Sequence, residues 1–458
     1  MFPRNLEQNL LQWKKKSRRK PLIIRGVRQV GKTKLVLDFA SRQFDNHIYL
    51  NLEKSEHERL FDKISPISEL LEILQIQFRT TITPGQTLLF IDEIQCSHMA
   101  ITQLRYFYED YPQLHVIAAG SLLDVMVEKE GFGFPVGRIE TLHMYPATFE
   151  EFLIALNENH ILSFLNSVDL RSKIPEATHR QILKLFYRYL TIGGMPEALN
   201  DYLEYQDIGR TESIYNEILG GFGEDVFKYA SHAKAQYLRH ILTHAPSYCG
   251  TTITYEKFGG SSFRSREMKE AFDTLEKAQI IHRVPASYSV EAPSLKNLKK
   301  PPKLLFCDVG FLNTKLGLRS EYLTIDDLNN LYRGSISEQV VGQALTALSS
   351  QTRWDLSYWY RDKKGSEAEL DFVICHQGNL IPIEVKSGKA GTLKSLFQFM
   401  KESQMKHAFR IYSGPLTNQK IDLGDHINFQ LISLPFYLLH RLPSLLPHPA
   451  QAFRHITN

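Results

Sequence analysis

Cysteine is scarce in this chain, and its four copies, Cys96, Cys249, Cys307 and Cys375, stand far apart. No Cys-x-x-Cys pair occurs. That argues against structural zinc and a disulfide framework, and it fits a reducing cytoplasm. Long apolar runs are lacking too. The amino terminus, Met-Phe-Pro-Arg-Asn-Leu-Glu-Gln, has no signal-peptide core. The longest apolar stretch, residues 431–439, is interrupted by Pro435 and followed by His440 and Arg441. It is too short and too broken to span a bilayer, so no membrane contact is expected. A dominant charge is also missing: 54 Lys and Arg against 50 Asp and Glu leave a net +4. That balance permits nucleic-acid contact without arguing for it. The basic run Lys14-Lys-Lys-Ser-Arg-Arg-Lys20 reads as a solvated helix end.

What is present is concentrated in a few motifs. Pro21-Leu-Ile-Ile24 reads as a buried strand and Leu35-Val-Leu-Asp-Phe-Ala40 as a helix. Between them lies Gly26-Val-Arg-Gln-Val-Gly-Lys32-Thr33. Strand, glycine loop and helix in that order suit a polyphosphate. The main chain of Gly26, Val27, Arg28, Gln29, Val30, Gly31, Lys32, Thr33 and Lys34 would turn its N–H groups inward. The helix dipole would point at the same anion. Lys32 would reach the β- and γ-phosphates, and Thr33 would hold magnesium.

A second apolar run, Thr87-Leu-Leu-Phe-Ile91, predicts a strand buried on both faces and ends in Asp92-Glu93. Asp92 would act on magnesium through water, and Glu93 would polarise the attacking water. A third run, Leu114-His-Val-Ile-Ala-Ala119, leads into Gly120-Ser121. Ser121 is open to two readings, a γ-phosphate sensor and a helix N-cap. Arg138 is equally open: an arginine on the rim of this site or a neighbouring subunit's, or a plain surface residue.

The 458 residues, 43% of them hydrophobic, suffice for two to four domains. The expected fold class is α/β. Residues 1–144 would form a phosphate-loop core with a parallel sheet, and residues 145–206 a helical lid. The lid contains Gly193-Gly-Met-Pro196, in which Pro196 either lies against an adenine or starts a helix. Residues 207–331 would hold a winged helix-turn-helix: a helix over 265–277 with wing strands Ile280-Ile-His-Arg-Val284 and Lys303-Leu-Leu-Phe306. Glu267, Glu270, Asp273 and Glu276 dilute its basic residues, so DNA and protein partners are both open.

Residues 332–458 would form a small α/β domain. A helix from Gly334 carries Glu338, and strands carry Asp371, Glu384 and Lys386. Alternation puts Glu384 and Lys386 on one face, with Asp371 on the adjacent strand. The set is either a site for a second divalent ion, with Lys386 as a catalytic cation, or a polar sheet edge.

With these motifs in view, the chain resembles the prokaryotic predicted AAA+ superfamily ATPases that join an ATPase domain to a poorly characterised carboxy-terminal domain. The carriers are residues 25–33, Leu89-Phe-Ile-Asp-Glu-Ile-Gln95, Gly120-Ser121, Gly137-Arg138, Tyr145-Pro-Ala-Thr-Phe-Glu-Glu-Phe152, Gly193-Gly-Met-Pro196 and Asp308-Val-Gly310. The lid motif also resembles that of signal-transducing switch ATPases, which implies an adenine contact for Pro196. The terminal set resembles the PD-(D/E)xK nucleases, although Leu370 stands where the named proline would be. The resemblance implies a Mg²⁺-dependent ATPase acting as a nucleotide-driven switch. An oligomer, DNA binding or cleavage, and an ATP-gated protein partner are its further implications.

Overall fold

The computed structural model describes residues 2–62, 66–130, 135, 137–228, 232–317, 334–362, 367–388, 392–424 and 426–446. The chain divides into two compact units. The first comprises Met1–Pro146, Gly220–Leu238 and Glu270–Ile280; the second comprises Ala147–Leu219, Arg239–Lys269 and Ile281–Asn458. The boundary expected at 331–332 lies outside the described residues.

The first unit is built on five parallel strands: β1 Leu22–Arg25, β2 Asn46–Asn51, β3 Thr87–Asp92, β4 His115–Gly120 and β5 Glu140–His143. Their order is β2-β3-β4-β1-β5. Every residue of β3 and β4 is buried, as continuous apolar runs require of strands covered on both faces. Helix Lys32–Gln43 follows the glycine loop directly and buries Leu35, Val36, Phe39 and Ala40 along one stripe. That stripe fixes the helix against the sheet, so its N-terminus stays at the carboxyl ends of the strands. The loop is braced from the amino terminus. Buried Arg4 donates to Val30 O at 3.0 Å and to Tyr145 O at 2.5 Å.

In the second unit, helix Phe149–Ala155 opens on a capping box between Thr148 and Glu151. Helices Asn159–Ser167, Glu176–Ile192 and Pro196–Tyr205 follow. They share this unit with the carboxy-terminal sheet. Phe186 stacks on Phe436 with centroids 5.9 Å apart, and buried His179 Nδ1 lies 2.8 Å from the Tyr437 hydroxyl. Strands β6 Ile281–Val284 and β8 Lys303–Phe306 pair antiparallel. A mixed seven-stranded sheet runs β13-β14-β12-β11-β10-β9-β7. Its strands are β7 Ala286–Ser287, β9 Asp355–Tyr360, β10 Glu369–His376, β11 Asn379–Lys386, β12 His407–Tyr412, β13 Thr417–Asp422 and β14 Asn428–Pro435. Helices Gly334–Thr352 and Lys394–Ser403 pack on it. The apolar stretch at 431–439 lies in β14 and the 3-10 helix Phe436–Arg441. Among the described residues, no helix is long and apolar enough to cross a membrane.

Candidate active site

Sheet order brings the first motifs together. β1 feeds the glycine loop, and β3 lies two strands away across β4. Side chains must therefore bridge roughly 10 Å of sheet. Thr33, on the first turn of its helix, does so: its hydroxyl donates to Asp92 Oδ2 at 2.7 Å. The Tyr49 hydroxyl donates to the same oxygen at 3.2 Å, and the Glu93 N–H donates to Asp92 Oδ1 at 3.1 Å. Burial pushes the Asp92 carboxyl above its ordinary value; the Thr33 hydrogen bond opposes the shift and Glu93 adds to it. A buried acid raised in this way, beside a hydroxyl, fits a magnesium ion, because hard cations take oxygen ligands.

The loop geometry follows from its glycines. Gly31 sits at φ 98° immediately before the helix, where a side chain would be strained. A Cβ on Gly26 would lie 2.4 Å from Met144 O. Lys32 is buried, and its ammonium donates to Gly26 O at 2.9 Å and Val27 O at 3.1 Å. Burial lowers the Lys32 ammonium to about 8, against the pull of Glu93 and Asp92. Arg28 is held by an ion pair to Asp225, a residue of the same unit.

Two residues of this site are given no role by the motif reading. Tyr49 comes from β2, stacked on Phe90 with centroids 5.4 Å apart. Gln95 is buried and donates through Nε2 to Glu93 Oε2 at 2.5 Å. It lies against β4, where a Cβ on Gly120 would be 2.5 Å from Gln95 Oε1. Glu93 itself sits at φ 51°, which turns its side chain away from the strand direction. The signal for Gln95 was its place two residues beyond the acidic pair; Tyr49 had no signal beyond its strand.

Ser121 is buried just after Gly120, with Leu122 between it and helix Leu123–Glu130. Arg138 is exposed, and its Nε donates to Glu109 Oε1 at 2.9 Å. Pro196 is the buried first residue of its helix. The glycines before it make room for a neighbour. Buried Asp308 accepts from Gly194 N at 2.8 Å, the Tyr215 hydroxyl at 2.6 Å and Gly310 N at 2.9 Å. A Cβ on Gly193 would lie 1.9 Å from the Tyr215 oxygen. Asp308 thus ties two of the sequence motifs together, a role their spacing did not announce.

The carboxy-terminal set also assembles. β9 and β10 shift register between Leu370 and Val373, which leaves Asp371 in a bulge. Bulges re-aim side chains. Phe372 pairs with Ile383, so Asp371 and Glu384 are the next residues along the two strands. Asp371 Oδ2 accepts from Val385 N at 2.7 Å, and Lys386 donates to Glu384 Oε1 at 2.6 Å. Glu384 Oε2 is buried with no partner among the described residues. Burial and the neighbouring Asp371 raise both Glu338 and Glu384 above the ordinary carboxyl range. Lys303, which the motif reading placed only as a wing residue, lies 2.5 Å from Glu338 Oε2 and 3.8 Å from Asp371 Oδ1. Among the described residues, no group of three or more His, Cys, Asp or Glu is arranged to hold a metal ion.

A parallel sheet with a glycine loop after β1 and an acidic pair at the end of β3 defines a P-loop NTPase. Residues 18–153 match the family model described as an AAA domain, in keeping with that P-loop fold. Residues 183–322 and 333–437 match models described as domains of unknown function (DUF8612 and DUF4143). No curated protein matches. Among solved structures, Thermotoga maritima RuvB is 15% identical with a TM-score of 0.29, over 65% of this chain and 93% of its own. ORC2 from Aeropyrum pernix is 12% identical at 0.30, over 69% and 92%. DnaA from Aquifex aeolicus is 13% identical at 0.25, over 59% and 84%. Scores this low carry no argument; the assignment of the first domain rests on the family match and the geometry above.

Proposed function

We propose that the chain is a Mg²⁺-dependent ATPase whose nucleotide cycle acts as a switch on the rest of the chain. The observation that supports it most is the Thr33–Asp92 bond at 2.7 Å. It joins the phosphate loop to the acidic pair at the point an ion would occupy. Thr33 and Asp92 would hold magnesium, which would supply positive charge to the phosphates. Lys32 would leave the carbonyls of Gly26 and Val27 for the phosphate oxygens. Glu93, oriented by Gln95, would take a proton from the attacking water. Ser121 would report on the γ-phosphate, Pro196 would meet the adenine, and Arg138 would act at a neighbouring subunit's nucleotide. The winged-helix region and the carboxy-terminal domain would carry the switch output to a protein partner.

Labelled-ATP titration tests this reading. Saturable, magnesium-dependent binding that Lys32→Ala removes and Glu93→Gln keeps is expected. Unchanged ATPase activity in both variants would sink it. For Arg138, mixing Arg138→Ala with Glu93→Gln subunits should restore activity if one subunit completes another's site.

DNA binding and cleavage form a second reading. The partnerless Glu384 Oε2 favours it. Lys303 among the acids opposes it. Plasmid incubated with the wild type and Mg²⁺ or Mn²⁺ decides: cutting that Asp371→Ala abolishes would establish it.

A further inference from the structure

Lys303 lies on β8, and its side chain is 1% exposed. Its ammonium sits 2.5 Å from Glu338 Oε2, 3.6 Å from Glu369 Oε1 and 3.8 Å from Asp371 Oδ1. It also donates to the Asp371 carbonyl at 3.3 Å. The rings of Phe372 and Tyr358 lie beside it, with centroids at 5.2 and 5.7 Å. A cation between carboxylates and π-faces is in the environment that stabilises positive charge most.

The strand that delivers this lysine is fastened. Lys303 pairs with Val284 across the β6–β8 ladder. Three residues on, Phe306 N donates to Gln339 Oε1 at 2.9 Å, and Gln339 Nε2 donates to Phe306 O at 2.8 Å. Gln339 is the residue after Glu338 on the same helix. Withdrawing the ammonium would break contacts on both sides of the strand. The acids around it are engaged as well. Glu338 bonds Lys303, Asp371 bonds the Val385 N–H, and Glu384 bonds Lys386 through Oε1, its Oε2 having no partner among the described residues. A divalent ion would need several oxygens at once.

We propose that the Lys303 ammonium is a built-in cation on the Glu338–Asp371 side of this cluster, taking the oxygens that a second divalent ion would need. That side of the cluster then holds its countercharge without metal, on a lysine that β8 brings from ahead of the carboxy-terminal domain. This inference is independent of the ATPase reading.

The test is Mn²⁺ titration of the nucleotide-free full chain, followed by the electron-spin resonance of free Mn²⁺. Asp92→Asn serves as the parent, so that the amino-terminal pair does not contribute. Glu384→Gln in this parent should leave Mn²⁺ binding unchanged. Lys303→Met should gain one equivalent of Mn²⁺, bound at least about tenfold more tightly than by the parent. Asp371→Asn should remove that gain, and Lys303→Arg should show none. Mn²⁺ should raise the Tm of Lys303→Met and not of the parent. The proposal is overturned if the parent binds one equivalent that Glu384→Gln abolishes, or if folded Lys303→Met gains nothing. Should Lys303→Met fail to fold, the parent and its Glu384→Gln variant still decide.

Discussion

At Asp92 and Glu93 the neighbouring lysine, Lys32, bonds main-chain carbonyls, and the acids bond neutral hydroxyl and amide donors. At Glu338 and Asp371 the lysine bonds the acids. Composition alone would rate the two clusters alike, since each holds buried carboxylates and an ammonium. What separates them is where the ammonium points. The first arrangement leaves both the acids and the lysine available to a ligand that brings its own charges, such as a magnesium triphosphate. The second already holds an ammonium against Glu338 and Asp371, which leaves Glu384 Oε2 without a partner among the described residues. An acid count therefore predicts a site less well than the question of which donor each acid already holds.

The largest expected effects break the first cluster. Lys32→Ala should abolish measurable ATP binding, because the loop loses its one buried ammonium. Glu93→Gln should bind ATP as the wild type does and lose about 10²- to 10⁴-fold in turnover, the usual contribution of a positioned general base. Single-turnover hydrolysis beside equilibrium binding separates the two. If Glu93→Gln instead lost binding in step with turnover, the acids of this cluster would be structural, and the contrast with the second cluster would fail.

Next comes the second cluster. Lys303→Met should destabilise the chain by about 3–5 kcal/mol, the cost of leaving buried carboxylates unpaired, with ATP affinity unchanged. Denaturant unfolding with and without nucleotide checks both halves. A loss below about 1 kcal/mol would show that the acids find other partners and that Lys303 is not their counter-ion.

How far these clusters could be read from the chain differs for a physical reason. Continuous apolar runs announced β1, β3 and β4 to within a residue or two, because strands buried on both faces have little alternative. The glycine loop was legible for the same reason: few conformations let a main chain wrap an anion. Strand β2 was not named in advance. It is partly exposed, and its Ile48 and Leu50 alternate with polar neighbours, so it lacks a continuous run. With it went Tyr49. Lys303 was legible as a wing residue and not as a counter-ion. Its partners stand 35 and 68 positions away, and no local pattern encodes a contact at that separation. The Gly193–Gly194 pair likewise gave its turn and hid its cause, buried Asp308, 114 positions beyond Gly194.

A pH titration sharpens the contrast at moderate cost in effect size. Burial lowers Lys32 to about 8. The nucleotide-free folded chain thus carries that charge fully only below about 8, whereas the unfolded chain keeps it to about 10.4. A lysine lowered by folding disfavours the folded state at low pH, and that penalty fades as pH rises from 8 toward 10. ATP acts oppositely, since a phosphate needs the ammonium. Affinity should be flat below pH 8 and then weaken by up to about tenfold per pH unit. Calorimetry in buffers of different ionisation enthalpy should show proton uptake on binding above pH 8. Lys303 is predicted to show no such transition there. Burial alone would lower it, but Glu338 and Asp371 reverse the effect and hold it above the ordinary lysine value. An ATP affinity independent of pH from 7 to about 9.5 would mean that Lys32 is not the group meeting the phosphates.

Tyr49→Phe should have the smallest effect, and it tests how the first cluster keeps its acid available. Asp92 is raised mainly by burial, and its Thr33, Glu93 N–H and Tyr49 hydrogen bonds act against that rise. Each donor favours the carboxylate, so removing one moves the carboxyl further up. Tyr49 makes the longest of the three, at 3.2 Å. Its loss should therefore move the acid limb of the magnesium-dependent kcat/KM profile upward by a few tenths of a pH unit, about 0.5 kcal/mol. Thr33→Val should move it further and also weaken magnesium dependence, because Thr33 would touch the ion as well as the acid. At neutral pH Tyr49→Phe should match the wild type within about twofold, since the Thr33 hydroxyl and the Glu93 N–H still hold the Asp92 carboxylate. The same limb measured for both variants would reveal the alternative: if neither moved it, Asp92 would not be the group whose ionisation the reaction requires, and the neutral donors would serve only to fasten β2 to β3.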